Sequence, residues 1–353
     1  MSDTIDVRND ERFDAQKLAD YLADKRDILE VGDAPFSIRQ FGGGMANLTY
    51  EIDFGEKQFV LRRPPLGPVA KSAHDMGREY KVLSRLYQKF PLAPRAYLFC
   101  DDHDVIGADF FIMARHYGAV VRKSMPVAFQ AMPEAPKQMS TALAEALADF
   151  HAVDYKEIGL GDLGKPEGFI SRQIEGWHRR WHKAKHEEIP LMDTLYEWLK
   201  ENEPQNTIAT LVHNDYKLDN VMVNTADPRQ LEAIFDWDMC TLGDPMSDVG
   251  TLMTYWSDPD DPPYMKMLAA NFLPVGDYNF LTRQEMMAVY AERSGRDISD
   301  LNFYHALGLF RLTVILAQIY IRYVRGQTQD KRFAALGQML PLLVQSSADV
   351  AGL

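Results

Sequence analysis

Leu211-Val212-His213-Asn214-Asp215-Tyr216-Lys217-Leu218-Asp219-Asn220 is the most informative segment of the chain. Asn220 lies five positions after Asp215, so one loop can present both side chains to the same pocket. The flanking runs Leu211-Val212 and Val221-Met222-Val223 read as the strands that carry it. Asp236 follows at the end of the mostly apolar run Leu231–Phe235. A His-x-Asp-x-x-x-x-Asn segment, with a further Asp just past a short strand, meets the demands of phosphoryl transfer to a hydroxyl. One carboxylate must orient and deprotonate the hydroxyl, and Asp215 is expected in that role. Lys217 is placed to neutralise charge on the γ-phosphate. Asn220 and Asp236 offer the oxygen ligands that Mg2+ prefers. His213 is expected to orient the loop. A His-x-Asp pair can also ligate a hydrolase metal, but no further histidine cluster lies near it in sequence.

Residues 36 to 62 alternate as strands do, with Leu48, Tyr50, Ile52 and Phe54 on one face and Thr49, Glu51 and Asp53 on the other. Between the first two strands, Gly42-Gly43-Gly44 would let backbone N–H groups approach a phosphate, although glycine hairpins are often only turns. No Gly-Lys-Ser/Thr follows and a strand comes next, so this is not a P-loop. Arg62, at the end of Phe59-Val60-Leu61, can reach phosphates, and Glu79 on the helix expected over 74–90 can pair with it. Arg63 competes for that role, but alternation turns it away.

The remaining texture is helical, with patterns at about 137–153, 171–186, 191–201, 244–256, 282–295, 299–325 and 331–348. The expected fold class is α+β with two lobes: residues 1–117 form a small antiparallel sheet plus a helix, and 118–353 form a mainly helical lobe. Nucleotide is expected in the cleft between them. Asp244-Pro245 suits a helix start, and Asp248 could accept hydrogen bonds from the catalytic loop backbone. The loop 255–264, with three prolines, could line the acceptor pocket.

With 353 residues the chain has one or two domains, and its net charge of −13 argues against nonspecific nucleic-acid binding. Cys100 and Cys240 read as small buried hydrophobes. The polar N-terminus carries no secretory h-region. The apolar run Leu312–Ile321, bounded by Arg311 and Arg322, is too short to span a bilayer. A cytoplasmic chain with no membrane partner is therefore expected. Against this acidic background 171–186 is basic, with Arg172, Arg179, Arg180, Lys183 and Lys185 against Glu175. The segment is either a solvated face backed by Trp177 and Trp181 or a dock for an anionic substrate. His178, His182 and His186 recur every four residues, a spacing that can seat zinc, although no fourth ligand is obvious.

These residues together resemble the aminoglycoside phosphotransferase-like kinases, a branch of the protein-kinase-like fold that includes choline kinases. His213–Asn220, Phe235-Asp236-Trp237-Asp238 and Gly243-Asp244-Pro245-x-x-Asp248 look like that family's signature. Phe41–Asn47, Val60-Leu61-Arg62 and Arg78-Glu79 resemble its small-lobe elements, and the likeness runs over about 30–325. A narrower resemblance, through Gly164-Lys165-Pro166, Arg172-Gln173-Ile174, Trp177 and Glu188-Ile189-Pro190-x-Met192-Asp193, is to the kinase-like segment fused to some acyl-CoA dehydrogenases. The resemblance implies an ATP- and Mg-dependent small-molecule kinase, adenine contacts near Ala114–His116, and a hydroxyacyl-CoA acceptor. Arg62 stands where protein kinases carry lysine. The basic 171–186 segment disfavours polycationic aminoglycosides as acceptors. A nucleotide-binding pseudokinase serving as an interaction module is the alternative. A protein kinase is weaker, because 236–248 leaves little room for an activation loop.

Overall fold

The structure is a computed structural model that describes residues 3–33, 35–42, 47–67, 75–205, 208–274, 276 and 278–353. The chain divides into two compact units, Met1–Tyr117 with Glu232–Cys240, and Gly118–Leu231 with Thr241–Leu353.

The first unit contains β1 (Thr4–Ile5), α1 (Ala15–Ala23), α2 (Arg26–Leu29), β2 (Ser37–Phe41), β3 (Leu48–Asp53), β4 (Gln58–Arg63), α3 (Met76–Leu86), β5 (Ala96–Cys100), α4 (His103–Ile106) and β6 (Phe110–Ala114). Its six strands form one antiparallel sheet in the order β1-β2-β3-β4-β6-β5. Tyr50, Ile52, Leu61, Phe110 and Ile112 pack with Leu18 and Leu22 of α1 into its core. Glu51, on the opposite face of β3, is also buried and is ion-paired with Arg115. The Asp14 side chain caps α1 by accepting from the Gln16 and Lys17 amides, and Asp75 caps α3 by accepting from Arg78 N. Arg63 is buried and donates to the Ile106 carbonyl at 3.1 Å.

The second unit contains β7 (Ala119–Val120), α5 (Ala135–His151), α6 (Phe169–Ala184), α7 (Leu191–Glu201), β8 (Thr210–Val212) and β9 (Val221–Val223). β10 (Leu231–Ile234) leads into the returning segment. The chain then continues through β11 (Thr241–Gly243), α8 (Met246–Tyr255), α9 (Pro263–Ala269), α10 (Arg283–Ser294), α11 (Leu301–Val324) and α12 (Leu336–Ala351). β8 pairs antiparallel with β11, and β7 with β9. α11 packs against α6, α8 and α12. Its approach to α8 requires glycine, since a Cβ on Gly250 would strike the Tyr304 backbone and one on Gly308 would strike Thr254 and the Gly250 backbone. α11 spans 24 residues, more than twice the apolar run read from the sequence. By length and composition it could cross a bilayer, but half of its apolar window is buried inside the protein, as in a core helix.

A single boundary after residue 117 does not contain the return of Glu232–Cys240 to the first unit. Its physical cause is packing across the sequence. Ile234 N donates to Leu92 O at 2.8 Å, and the buried Trp237 ring meets Phe90 edge-on at 6.3 Å. Arg78 donates to the Cys240 carbonyl at 2.8 Å. Cys100 and Cys240 are free and buried.

Candidate active site

In the second unit the loop joining β8 to β9 is held from below. Asp248, fully buried on α8, accepts the His213 amide at 2.6 Å and the Asn214 amide at 2.7 Å. Burial alone would push this carboxyl up, but His151 and His213 hold it below the usual range. Asn214 takes a left-handed turn at φ 65°, a conformation asparagine tolerates better than most residues. Arg311 of α11 donates to the Asn214 carbonyl at 2.5 Å. His213 is buried and its Nδ1 accepts the Asp215 amide at 3.3 Å, an orienting role. The neighbouring Asp244 accepts from Met246 N and from the Tyr304 hydroxyl.

On this support Asp215, Lys217 and Asn220 come together. The Asp215 carboxylate is ion-paired with Lys217 and accepts from Asn220 Nδ2 at 3.0 Å. Asn220 Nδ2 also donates to the Asp215 carbonyl at 2.9 Å, so the amide nitrogen is spent on the loop and the amide oxygen is the atom suited to a metal. Burial opposes the charge on Lys217, but Asp215, Tyr255 and Asp219 outweigh it and raise its proton affinity. The ammonium lies 5.1 Å from the Tyr255 ring centroid. Asp219, to which the sequence reading assigns no role, adjoins this group. Burial, reinforced by Asp215, pushes its carboxyl up to about 6 against the pull of Lys217 and Arg122, and its Oδ1 is buried without a hydrogen bond among the described residues. Its position immediately before Asn220 in the motif was the available signal.

In the first unit Arg62 sits between two acids, 3.2 Å from Glu79 Oε1 and 3.0 Å from Asp236 Oδ1. Asp236 joins this group only because the chain returns, and it adopts a left-handed φ of 68°. Arg62 and Glu79 are pushed the same way. Despite burial, the surrounding acids raise Arg62 above its usual value. Burial pushes Glu79 up to about 7, with Asp236 and Asp238 adding to the shift and Arg62 opposing it. Burial thus sets the direction at Glu79, while at Arg62 the neighbouring carboxylates outweigh it. The carboxylates of Glu79, Asp236 and Asp238 are oxygen donors of the type that a hard divalent cation such as Mg2+ takes.

The raised Glu79 carboxyl has a pH signature. Its folded value of about 7 lies above the ordinary 4.5, so its favourable contribution is complete below about pH 4.5 and gone above about pH 7. In chelator-treated protein, the melting temperature of wild type relative to Glu79→Gln should fall as pH rises through that window. A difference independent of pH would refute the raised carboxyl.

Of the expected nucleotide contacts, Gly43 and Gly44 lie outside the described residues, while Gly42 accepts from Arg8 through its carbonyl at 3.2 Å. The Ala114 amide is already committed to the Arg95 carbonyl at 2.8 Å. His116 is driven below its usual value by burial, against Glu232, and its Nε2 is buried without a hydrogen bond among the described residues, a polar atom suited to a heterocyclic ligand. The segment 255–264 is tied down: Arg283 pairs with Asp258 at 3.2 Å and Asp261 at 2.8 Å, and its last residues begin α9.

Residues 37–283 match the phosphotransferase enzyme family. Acyl-CoA dehydrogenase family member 11 of Gallus gallus is 30% identical over 99% of this chain and 45% of its own length. The chain thus spans less than half of the curated relatives it matches. A Ralstonia eutropha crystal structure, provisionally named an aminoglycoside phosphotransferase, is 30% identical with a TM-score of 0.82, covering 97% of this chain and 99% of its own. A ternary complex of aminoglycoside phosphotransferase APH(4)-Ia with ADP and hygromycin B is 19% identical with a TM-score of 0.56, covering 93% and 99%, and shares the kinase-like α+β fold. The chain belongs to the phosphotransferase enzyme family.

Proposed function

We propose that the chain transfers the γ-phosphoryl group of ATP to a hydroxyl of an anionic small molecule, a hydroxyacyl-CoA. Asp215 accepts the hydroxyl proton as the oxygen attacks phosphorus and the bond to the β-phosphate oxygen breaks. Lys217 counters charge on the transferred group, and Arg62, directed by Glu79, serves the phosphates. Asn220 and Asp236 are the proposed ligands for Mg2+, which when bound spreads the charge that develops on the phosphate oxygens.

The acceptor class rests on one observation, a cationic wall beside the catalytic loop. Arg180 lies 4.4 Å and Arg311 5.4 Å from the Trp177 ring, and Arg311 also holds the Asn214 carbonyl. Burial, Arg179 and Arg311 together lower the proton affinity of Arg180, which is what crowded guanidiniums do before an anion arrives. A polycationic aminoglycoside would be repelled there. The name of the dehydrogenase relatives adds acyl-CoA as the chemical class.

Steady-state assays with Mg-ATP against hydroxyacyl-CoA, choline-like, sugar and aminoglycoside acceptors test this reading. Turnover is expected with hydroxyacyl-CoA, and Arg180→Ala should raise KM for that acceptor about tenfold while leaving kcat within about twofold. Turnover on aminoglycosides alone would refute the acceptor class.

A further inference from the structure

α6 and α7 bring together three side chains that the phosphotransfer site does not use. His178 Nε2 lies 2.9 Å from Asp193 Oδ1 and 3.0 Å from His182 Nε2, and His182 Nε2 lies 3.4 Å from the same Asp193 oxygen. The two histidines are one turn apart on α6, and Asp193 comes from the first turn of α7. Three donor atoms of metal-binding type thus form a nearly equilateral triangle. Zinc–ligand bonds of about 2.0–2.1 Å arranged tetrahedrally require donors roughly 3.3 Å apart, so the observed edges describe one face of such a tetrahedron.

The triangle is supported from behind. The His178 ring stacks on Tyr196 of α7 with centroids 3.6 Å apart and planes within 5°. The Tyr196 hydroxyl in turn donates to Glu175 Oε1 of α6 at 2.8 Å. These contacts fix the imidazole before any ion binds, the pre-organisation on which metal sites depend. Lys185, the nearby cation that would compete for Asp193, pairs instead with Glu188 at 2.7 Å. Both imidazoles turn Nε2 inward, so with their protons on Nδ1 each offers a lone pair to the same point.

We infer that His178, His182 and Asp193 form a zinc site that clips the first turn of α7 to the second half of α6. Water takes the fourth position. Two imidazoles and one carboxylate suit zinc by donor type. His186 is not part of the site, although it continues the four-residue spacing. α6 ends at Ala184, and His186 meets Tyr320 edge-on at 5.9 Å.

Titration of the chelator-treated full chain with Zn2+, followed calorimetrically, and with Co2+, followed by its visible absorption, tests the site. Wild type should bind one Zn2+ per chain, and the cobalt form should show the d–d bands of a four-coordinate ion. Asp193→Asn and His182→Gln should each weaken binding at least tenfold, while His186→Gln should leave it unchanged. The side chains of His182 and Asp193 are 40% and 53% exposed, so the folded state should tolerate these changes, and unchanged circular dichroism of the metal-free variants checks this. Zinc held by the phosphotransfer carboxylates would survive Asp193→Asn. Failure of wild type to bind stoichiometrically, or binding indifferent to Asp193→Asn, overturns the inference.

Discussion

Asp215→Asn should lower kcat by about a hundred- to ten-thousandfold, the range that loss of a positioned general base produces, with little change in nucleotide binding. The substitution preserves shape and leaves an oxygen that can still accept from Asn220 Nδ2, so the loop keeps that hydrogen bond. What disappears is the negative oxygen that takes the acceptor proton and holds Lys217. Released from that pair, the Lys217 ammonium remains beside Tyr255 and Asp219, so its charge is kept and its direction is loosened. A thermal shift with Mg-ATP should therefore match wild type while turnover collapses. Equal turnover in both proteins would remove Asp215 from the chemistry. A wild type that binds Mg-ATP yet phosphorylates no acceptor would favour the pseudokinase reading.

The pieces of the site that were legible in the sequence are those built from short spacings. Asp215, Lys217 and Asn220 lie within one loop, so their spacing already implied proximity, and the structure joins them by hydrogen bonds and an ion pair. The Arg62–Glu79 pair was legible for a related reason, because a strand end and the outer helix that follows it have few ways to meet. Packing between distant segments carried no such signal. That Asp236 belongs with Arg62 depends on Trp237 against Phe90 and Ile234 on Leu92, more than 140 residues away in sequence. The approach of Arg311 to Asn214 depends on how α11 crosses the second unit. The histidine spacing on α6 suggested His178, His182 and His186, but helical periodicity ends where the helix ends, and the third partner is Asp193 from another helix. Short elements such as α2, α4 and β7 have too few residues to show a period at all.

Asp248→Ala should cost about 3–5 kcal/mol of folding stability and lower the melting temperature by roughly 10 °C, although the residue touches no reacting group. Its two carboxylate oxygens receive the amides of His213 and Asn214, and one lies 3.3 Å from His151 Nε2, in a pocket with no exposure. His151 itself is tied to the Tyr290 hydroxyl at 2.9 Å, so one carboxylate joins α5, α8 and α10 to the catalytic loop. Alanine leaves two buried amides without acceptors, each costing about 1–3 kcal/mol, because desolvation is no longer offset. Asp248→Asn should be intermediate: its oxygen can serve one amide, but its NH2 group meets a second donor. Turnover should fall as well, since the left-handed turn at Asn214 that aims Asp215 loses its anchor and small misplacements near reacting groups cost about a hundredfold. Asp149→Ala is the internal comparison. Its pair with Arg293 at 2.8 Å is about half exposed on both sides, so solvent screens it and its loss should change stability little. If chemical denaturation finds Asp248→Ala no more damaging than Asp149→Ala, the loop is not held by this carboxylate and its geometry must come from β8 and β9 alone.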